Sequence, residues 1–173
     1  LARLNGDGTL SDGRKLSGGG GESIFQPEWS PGGDLFFVSD RSGWWNLYRW
    51  EGEEARAVLA MAAEFGRPQW LFGVPTYGFA GADRLICSYT QDGVWRMAEV
   101  GLRDGEWSEF DLPYVSIASV YVDTDRVVFL AASPTEAQAV AELELADRSL
   151  TLIRRSSAVE IGSGYLSEPQ AVA

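Results

Sequence analysis

Short apolar runs follow one another along the chain, each bounded by Gly, Pro, Asp or Ser. Leu35-Phe36-Phe37-Val38, Arg84-Leu85-Ile86-Cys87-Ser88, Arg126-Val127-Val128-Phe129-Leu130 and Ser149-Leu150-Thr151-Leu152-Ile153 are rich in β-branched and aromatic residues. Runs of this length between turn residues predict strands. Residues 139–145 alternate, with Ala141, Leu143 and Leu145 on one face and Glu142 and Glu144 on the other, which is the period of a strand with one solvated side. Only residues 53–65 have a helical composition. Their 3.6-residue periodicity is poor and no Ser, Thr, Asp or Asn caps their start, so no helix is predicted.

The strand pattern repeats. A shift of 50 positions carries Trp29 onto Phe79, Leu35-Phe36-Phe37-Val38 onto Leu85-Ile86-Cys87-Ser88, Gly43 onto Gly93 and Trp45 onto Trp95. A further shift of 42 carries Phe79 onto Tyr121 and Leu85-Ile86-Cys87 onto Val127-Val128-Phe129. A repeat of about 40 to 50 residues built from four short strands predicts a propeller blade. The expected fold is all-β, a partial β-propeller of about three and a half four-stranded antiparallel blades. Residues 1–23 read as the end of a preceding blade plus a Gly-rich connector. Asn5-Gly6-Asp7-Gly8 is the expected hairpin turn, because Gly, Asn and Asp readily take positive φ. Residues 24–68, 69–116 and 117–158 read as blades, and 159–173 as an exit segment. Propellers close with about four to eight blades, and a blade buries its faces only against its neighbours. Residue 1 is Leu rather than Met. We therefore expect further blades upstream, or an arc closed by self-association with a second copy.

Composition narrows the chemistry. The 45% hydrophobic and 23% charged fractions over 173 residues are those of a globular chain, and no apolar run approaches the roughly 20 residues that span a bilayer. No histidine is present, which excludes a Ser-His-Asp triad, a Cys-His dyad and any His-ligated metal within this chain. The single Cys87 excludes an internal disulfide and, from its apolar setting, reads as a small buried hydrophobe. A net charge of −11 repels phosphate backbones and anionic lipid, so neither nucleic acid nor membrane is an expected partner. Glu51-Gly52-Glu53-Glu54 and Asp123-Thr124-Asp125 match no calcium loop and sit at predicted hairpin turns. Gly18 to Gly21 is followed by neither Lys-Ser/Thr nor a helix, so it is a connector rather than a phosphate cradle. No cofactor and no metal are expected.

The stretch Trp29-Ser30-Pro31-Gly32-Gly33-Asp34-Leu35-Phe36-Phe37-Val38-Ser39-Asp40-Arg41-Ser42-Gly43, completed by Leu47-Tyr48, resembles the repeat of TolB-type propellers. Gly32-Gly33 stands where that repeat usually carries Asp-Gly. The same repeat builds the propellers of the prolyl oligopeptidase family of serine peptidases. Glu22-Ser23-Ile24-Phe25-Gln26-Pro27-Glu28-Trp29, Gly43-Trp44-Trp45-Asn46-Leu47-Tyr48 and Glu64-Phe65-Gly66-Arg67-Pro68-Gln69-Trp70 resemble its bacterial acylaminoacyl-peptidase or dipeptidyl-aminopeptidase-like branch. The resemblance implies a propeller that precedes a C-terminal α/β-hydrolase domain holding the catalytic residues, with peptide as substrate and a cytoplasmic location. This chain has no Gly-x-Ser-x-Gly elbow, so it carries no catalytic residue of its own. The resemblance also implies that Gly164-Tyr165-Leu166-Ser167-Glu168-Pro169 leads toward the hydrolase. A TolB-like interaction module with no enzyme attached is the alternative.

In a propeller the loops between second and third strands and the connections between blades share one face. That places Arg41, Trp44, Trp45, Glu64 and Arg67 together, as a peptide path or as a surface docked by the hydrolase, since aromatics stack and Arg and Glu engage peptide termini. Arg41, Trp44, Glu64 and Arg67 are the candidate site residues. The structural alternative makes Trp29, Trp45 and Trp95 core between blades, with Arg41 and Asp40 tying a turn.

Overall fold

The computed structural model describes residues 1–68, 70, 72–159 and 161–167. A short two-stranded sheet, β1 (Arg3–Leu4) and β2 (Leu10–Ser11), comes first. Three four-stranded antiparallel sheets follow. The first holds β3 (Ile24–Trp29), β4 (Leu35–Ser39), β5 (Asn46–Glu51) and β6 (Glu54–Ala57). The second holds β7 (Tyr77–Phe79), β8 (Arg84–Gln91), β9 (Val94–Gly101) and β10 (Trp107–Glu109). The third holds β11 (Ser116–Val122), β12 (Arg126–Ala132), β13 (Ala139–Glu144) and β14 (Leu150–Arg155). Each strand pairs with its neighbour in sequence, as short connections require of an antiparallel sheet. The fold is a partial β-propeller. Among the described residues the one helical segment is a 3-10 turn at Ser163–Tyr165. The expected exit run through Glu168 and Pro169 lies partly outside the described residues.

Strand β8 shows why the sheets stack. Leu85, Ile86, Cys87, Ser88 and Tyr89 are all fully buried. Side chains alternate across a strand, so burial of consecutive residues needs cover on both faces. Leu85, Cys87 and Tyr89 join Phe36, Val38 and Leu47 of the first sheet in one cluster. Ile86 joins Val127, Phe129 and Leu143 of the third in another. Each such aliphatic or aromatic side chain contributes about 1.5–3 kcal/mol by leaving water. Cys87 is a small apolar residue in this layer, and burial pushes its thiol up to about 12.

The first strands of the three sheets run side by side. Gln26 and Ser119 take left-handed φ of 47° and 52° at bulges in β3 and β11. The Gln26 side chain donates to the Tyr77 carbonyl (2.8 Å) and accepts from the Thr76 amide (2.7 Å), and the Tyr77 hydroxyl donates to the Gln26 carbonyl (2.6 Å). The Val120 amide donates to the Pro75 carbonyl at 2.9 Å. Trp29 is 57% exposed rather than core. Its counterpart Phe79 packs on Phe36 of the preceding sheet (5.0 Å between ring centroids), whereas no four-stranded sheet precedes β3 among the described residues.

Gly78 lets β7 approach β11. A Cβ there would stand 2.9 Å from the Cβ and Cγ2 of Val122, closer than packed carbon atoms come. Gly78→Ala is expected to destabilise the fold by about 1–3 kcal/mol, the cost of overpacking, seen as a lower urea midpoint. A midpoint equal to that of the parent chain would show that these two strands can part freely.

Candidate functional site

The connection from β6 to β7, residues 58–76, crosses the ends of the first two sheets. Its route is fixed by buried polar groups that must find partners. Asn46, 2% exposed, donates through Nδ2 to the carbonyls of Met61 (3.0 Å) and Ala63 (3.2 Å) and accepts from the Met61 amide (2.8 Å). The Glu64 backbone exchanges two 2.9 Å hydrogen bonds with Thr90, while its carboxylate accepts from the Trp45 amide at 2.7 Å. Phe65 is buried and stacks on Tyr89 at 5.2 Å. At Gly66 a Cβ would lie 2.7 Å from the Trp45 ring. Residues 63–67 therefore form a strap laced to both sheets.

Arg67 ends the strap. Its guanidinium lies 3.7 Å from the Trp95 ring centroid and donates to the Ile117 carbonyl at the start of β11. Nε is buried without a partner among the described residues, and burial lowers the pKa of the group. Arg67 thus bridges the second and third sheets, and Trp95 is its platform.

Arg41 belongs to a different cluster. Its Nε donates to Glu22 Oε1 at 2.8 Å, Nη2 donates to Ser17, and the guanidinium lies over Tyr48 (5.0 Å) and Phe37 (5.8 Å). The Asp40 carbonyl closes the turn by accepting from the Gly43 amide at 2.9 Å, while the ion-pair partner of Arg41 is Glu22 rather than Asp40. Ile24 pairs with Ser39, so the antiparallel register sets Ser23 opposite Asp40 and Glu22 opposite Arg41. The Ser23 amide duly donates to Asp40 at 2.8 Å. Burial pushes the Glu22 carboxyl up, but hydrogen bonds from Ser39, Arg41 and the Gly18 amide, with the Arg41 charge, outweigh it and hold the group at about 2. Trp44 is 44% exposed. Its carbonyl accepts from the Ser42 hydroxyl (3.1 Å) and the Asn46 amide (2.8 Å). The structure thus brings Glu64 together with Trp45 and sets Arg67 three residues further along the strap. Arg41 has no partner in common with either.

A second feature escapes the sequence pattern. A cavity of about 410 Å³ opens beside β3, β11 and the segment before β7, and Phe25, Pro27, Glu28, Phe72, Pro75 and Tyr121 are among its walls. Glu28 is half-buried. Burial raises its pKa, and a hydrogen bond from Gln26 offsets part of the rise. Burial, with the Glu28 charge added, also raises the Tyr77 phenol. The one signal in the sequence was a carboxylate set between Pro27 and Trp29. Among the described residues no group of three or more Cys, Asp or Glu could hold a metal ion.

No protein-family model matches the sequence, and no curated protein matches it. Solved structures do. A puromycin-hydrolyzing peptidase of Mycobacterium tuberculosis is 27% identical with a TM-score of 0.90, over 98% of this chain and 26% of that one. A puromycin hydrolase is 30% identical with a TM-score of 0.83, over 92% of this chain and 25% of that one. The chain spans about a quarter of the length of these peptidases. Prolyl oligopeptidase B of Galerina marginata, at 12% identity, shares the fold with a TM-score of 0.68, over 93% of this chain and 23% of that one.

The chain resembles a propeller segment of prolyl oligopeptidase-family peptidases. Here the strap ties neighbouring sheets together and the Arg41 cluster ties residues 17–22 to the first sheet, and these roles make two measurable demands. Arg67→Ala removes the stack on Trp95 and a charged donor to Ile117, and is expected to cost about 2 kcal/mol in urea unfolding. Arg67→Lys should recover less than half, because an ammonium cannot stack as a planar fork does. Full recovery by Lys would mean that charge alone matters. For Glu22 the folded pKa is depressed, so its contribution is present above the ordinary value of 4.5 and is lost as pH falls toward about 2. The melting temperature of Glu22→Gln should therefore fall less steeply than that of the parent chain between those limits. Parallel pH profiles would refute the coupling.

Proposed function

We propose that this propeller is the non-catalytic part of a serine peptidase and restricts which peptides reach an active site in a hydrolase domain of the same polypeptide. The reading rests on one observation: the chain matches puromycin-hydrolysing peptidases over nearly its full length while spanning a quarter of theirs. Absence of histidine supports it, because triad chemistry then has to come from residues outside these 173. A ring of blades leaves an axial channel walled by the first strand of each blade. An extended peptide can thread such a channel, whereas a folded protein is too wide. On this reading the face carrying Arg41, Trp44, Glu64 and Arg67 is where the hydrolase docks, and the substrates are peptides and aminoacyl compounds such as puromycin.

The test uses the complete polypeptide beside the isolated chain. The complete polypeptide should hydrolyse puromycin or a chromogenic aminoacyl anilide, and a serine-directed inhibitor should abolish this. The isolated chain should hydrolyse neither. A short peptide should be cut, and the same sequence displayed within a folded host protein should be spared. Equal cleavage of the free and displayed sequences would remove the gating role. Absence of any hydrolysis by the complete polypeptide would favour an interaction module.

A further inference from the structure

We infer that the cavity beside β3 binds a cation carried on an apolar or aromatic body, with Glu28 as the counter-ion. The volume of about 410 Å³ falls in the range of small-molecule sites. Its walls are largely apolar, and two of the rings are available to a ligand: Phe72 is 94% exposed and Tyr121 58%. Among the described residues Glu28 is the one charged residue in the lining. Among the described residues no Lys or Arg forms an ion pair with it, although ten other carboxylate–cation contacts occur.

The other polar side chains of the wall, among the described residues, are already engaged. Gln26 binds Thr76 and Tyr77 through its side chain and accepts from the Tyr77 hydroxyl through its carbonyl. The Tyr121 hydroxyl donates to the Gly73 carbonyl at 3.1 Å. The neighbouring Gln26 amide offsets part of the cost of burying Glu28, and an ionised carboxylate has about four acceptor positions. It is therefore a half-desolvated anion with acceptor capacity to spare, at the edge of an aromatic wall. An ammonium or guanidinium satisfies such a carboxylate with a charge-assisted hydrogen bond, and an attached ring or chain covers Phe72, Pro75 and Tyr121. An aromatic face adds cation–π attraction. A small inorganic cation leaves the apolar wall wet, and an anion meets the carboxylate's charge.

The site stands on the cavity and not on the peptidase reading. A polypeptide that hydrolyses nothing would still bind the cation, and an active peptidase could fail to bind it, so the two readings fail separately. The test titrates the chain with tyramine, with its neutral analogue tyrosol and with anionic 4-hydroxyphenylacetate, by calorimetry and by amide chemical shifts. Tyramine should bind at least about tenfold more tightly than tyrosol, 4-hydroxyphenylacetate should not bind, and the shifts should centre on Gly73 and Tyr121. In Glu28→Gln the preference for tyramine over tyrosol should vanish. The inference is overturned if tyramine does not bind, if tyrosol binds equally, if the shifts lie elsewhere, or if Glu28→Gln keeps the preference. The three-ligand series uses the unaltered chain, so it decides the matter even if that variant fails to fold.

Discussion

Burial of both faces of a strand at once is the constraint on which this molecule rests. Strand β8 cannot keep five consecutive side chains from water with one neighbour; it needs the first sheet for Leu85, Cys87 and Tyr89 and the third for Ile86. Stacking follows from that demand, and so does the shape of the polar devices between the sheets. Where sheet meets sheet the backbone has no ladder to join, so side chains such as Gln26 and Arg67 supply the donors that cross the gap.

The strap extends the same logic to an irregular segment. Residues 58–76 contain few strand signals, yet their backbone is held where it passes by one buried amide, Asn46, and one carboxylate, Glu64. Both lie within hydrogen-bonding reach of a sheet end. Irregular backbone is tolerated beside a core only when its polar groups are matched, and here the match comes from Trp45 and Asn46 at the entry to β5 and from Thr90 of β8. This ties the position of the face to the packing beneath it.

Much of this architecture was legible in the residues. The apolar runs at 35–38, 84–88 and 126–130 are the second strands of the three sheets, and the shifts of 50 and 42 related them before any coordinate did. The candidate site was legible only in part. Strand order suggested one face for Arg41, Trp44, Glu64 and Arg67, but their partners, which set Arg41 apart from Glu64 and Arg67, depend on register and reach. Glu22 is 19 residues from Arg41 in sequence, and only the pairing of Ile24 with Ser39 brings them opposite. Arg67 spans 50 residues to reach Ile117. Trp29 looked like core because its pattern matches Phe79, but burial belongs to what lies alongside, which a repeat does not report. Beyond the lone carboxylate, the cavity at Glu28 left no trace in the sequence for a similar reason: three separate segments build it.

Strictly sequential pairing has an evolutionary corollary. Every strand in the three sheets finds its hydrogen-bonding partner next in the chain, and contacts between sheets reach only the adjoining one. A gene segment encoding one sheet can therefore be copied or lost in frame without rewiring any ladder. The side chains that clip one unit to the next are not copied with it: under the shift of 50, Gln26 falls on Thr76 and Arg67 on Ile117, so each junction carries its own clip.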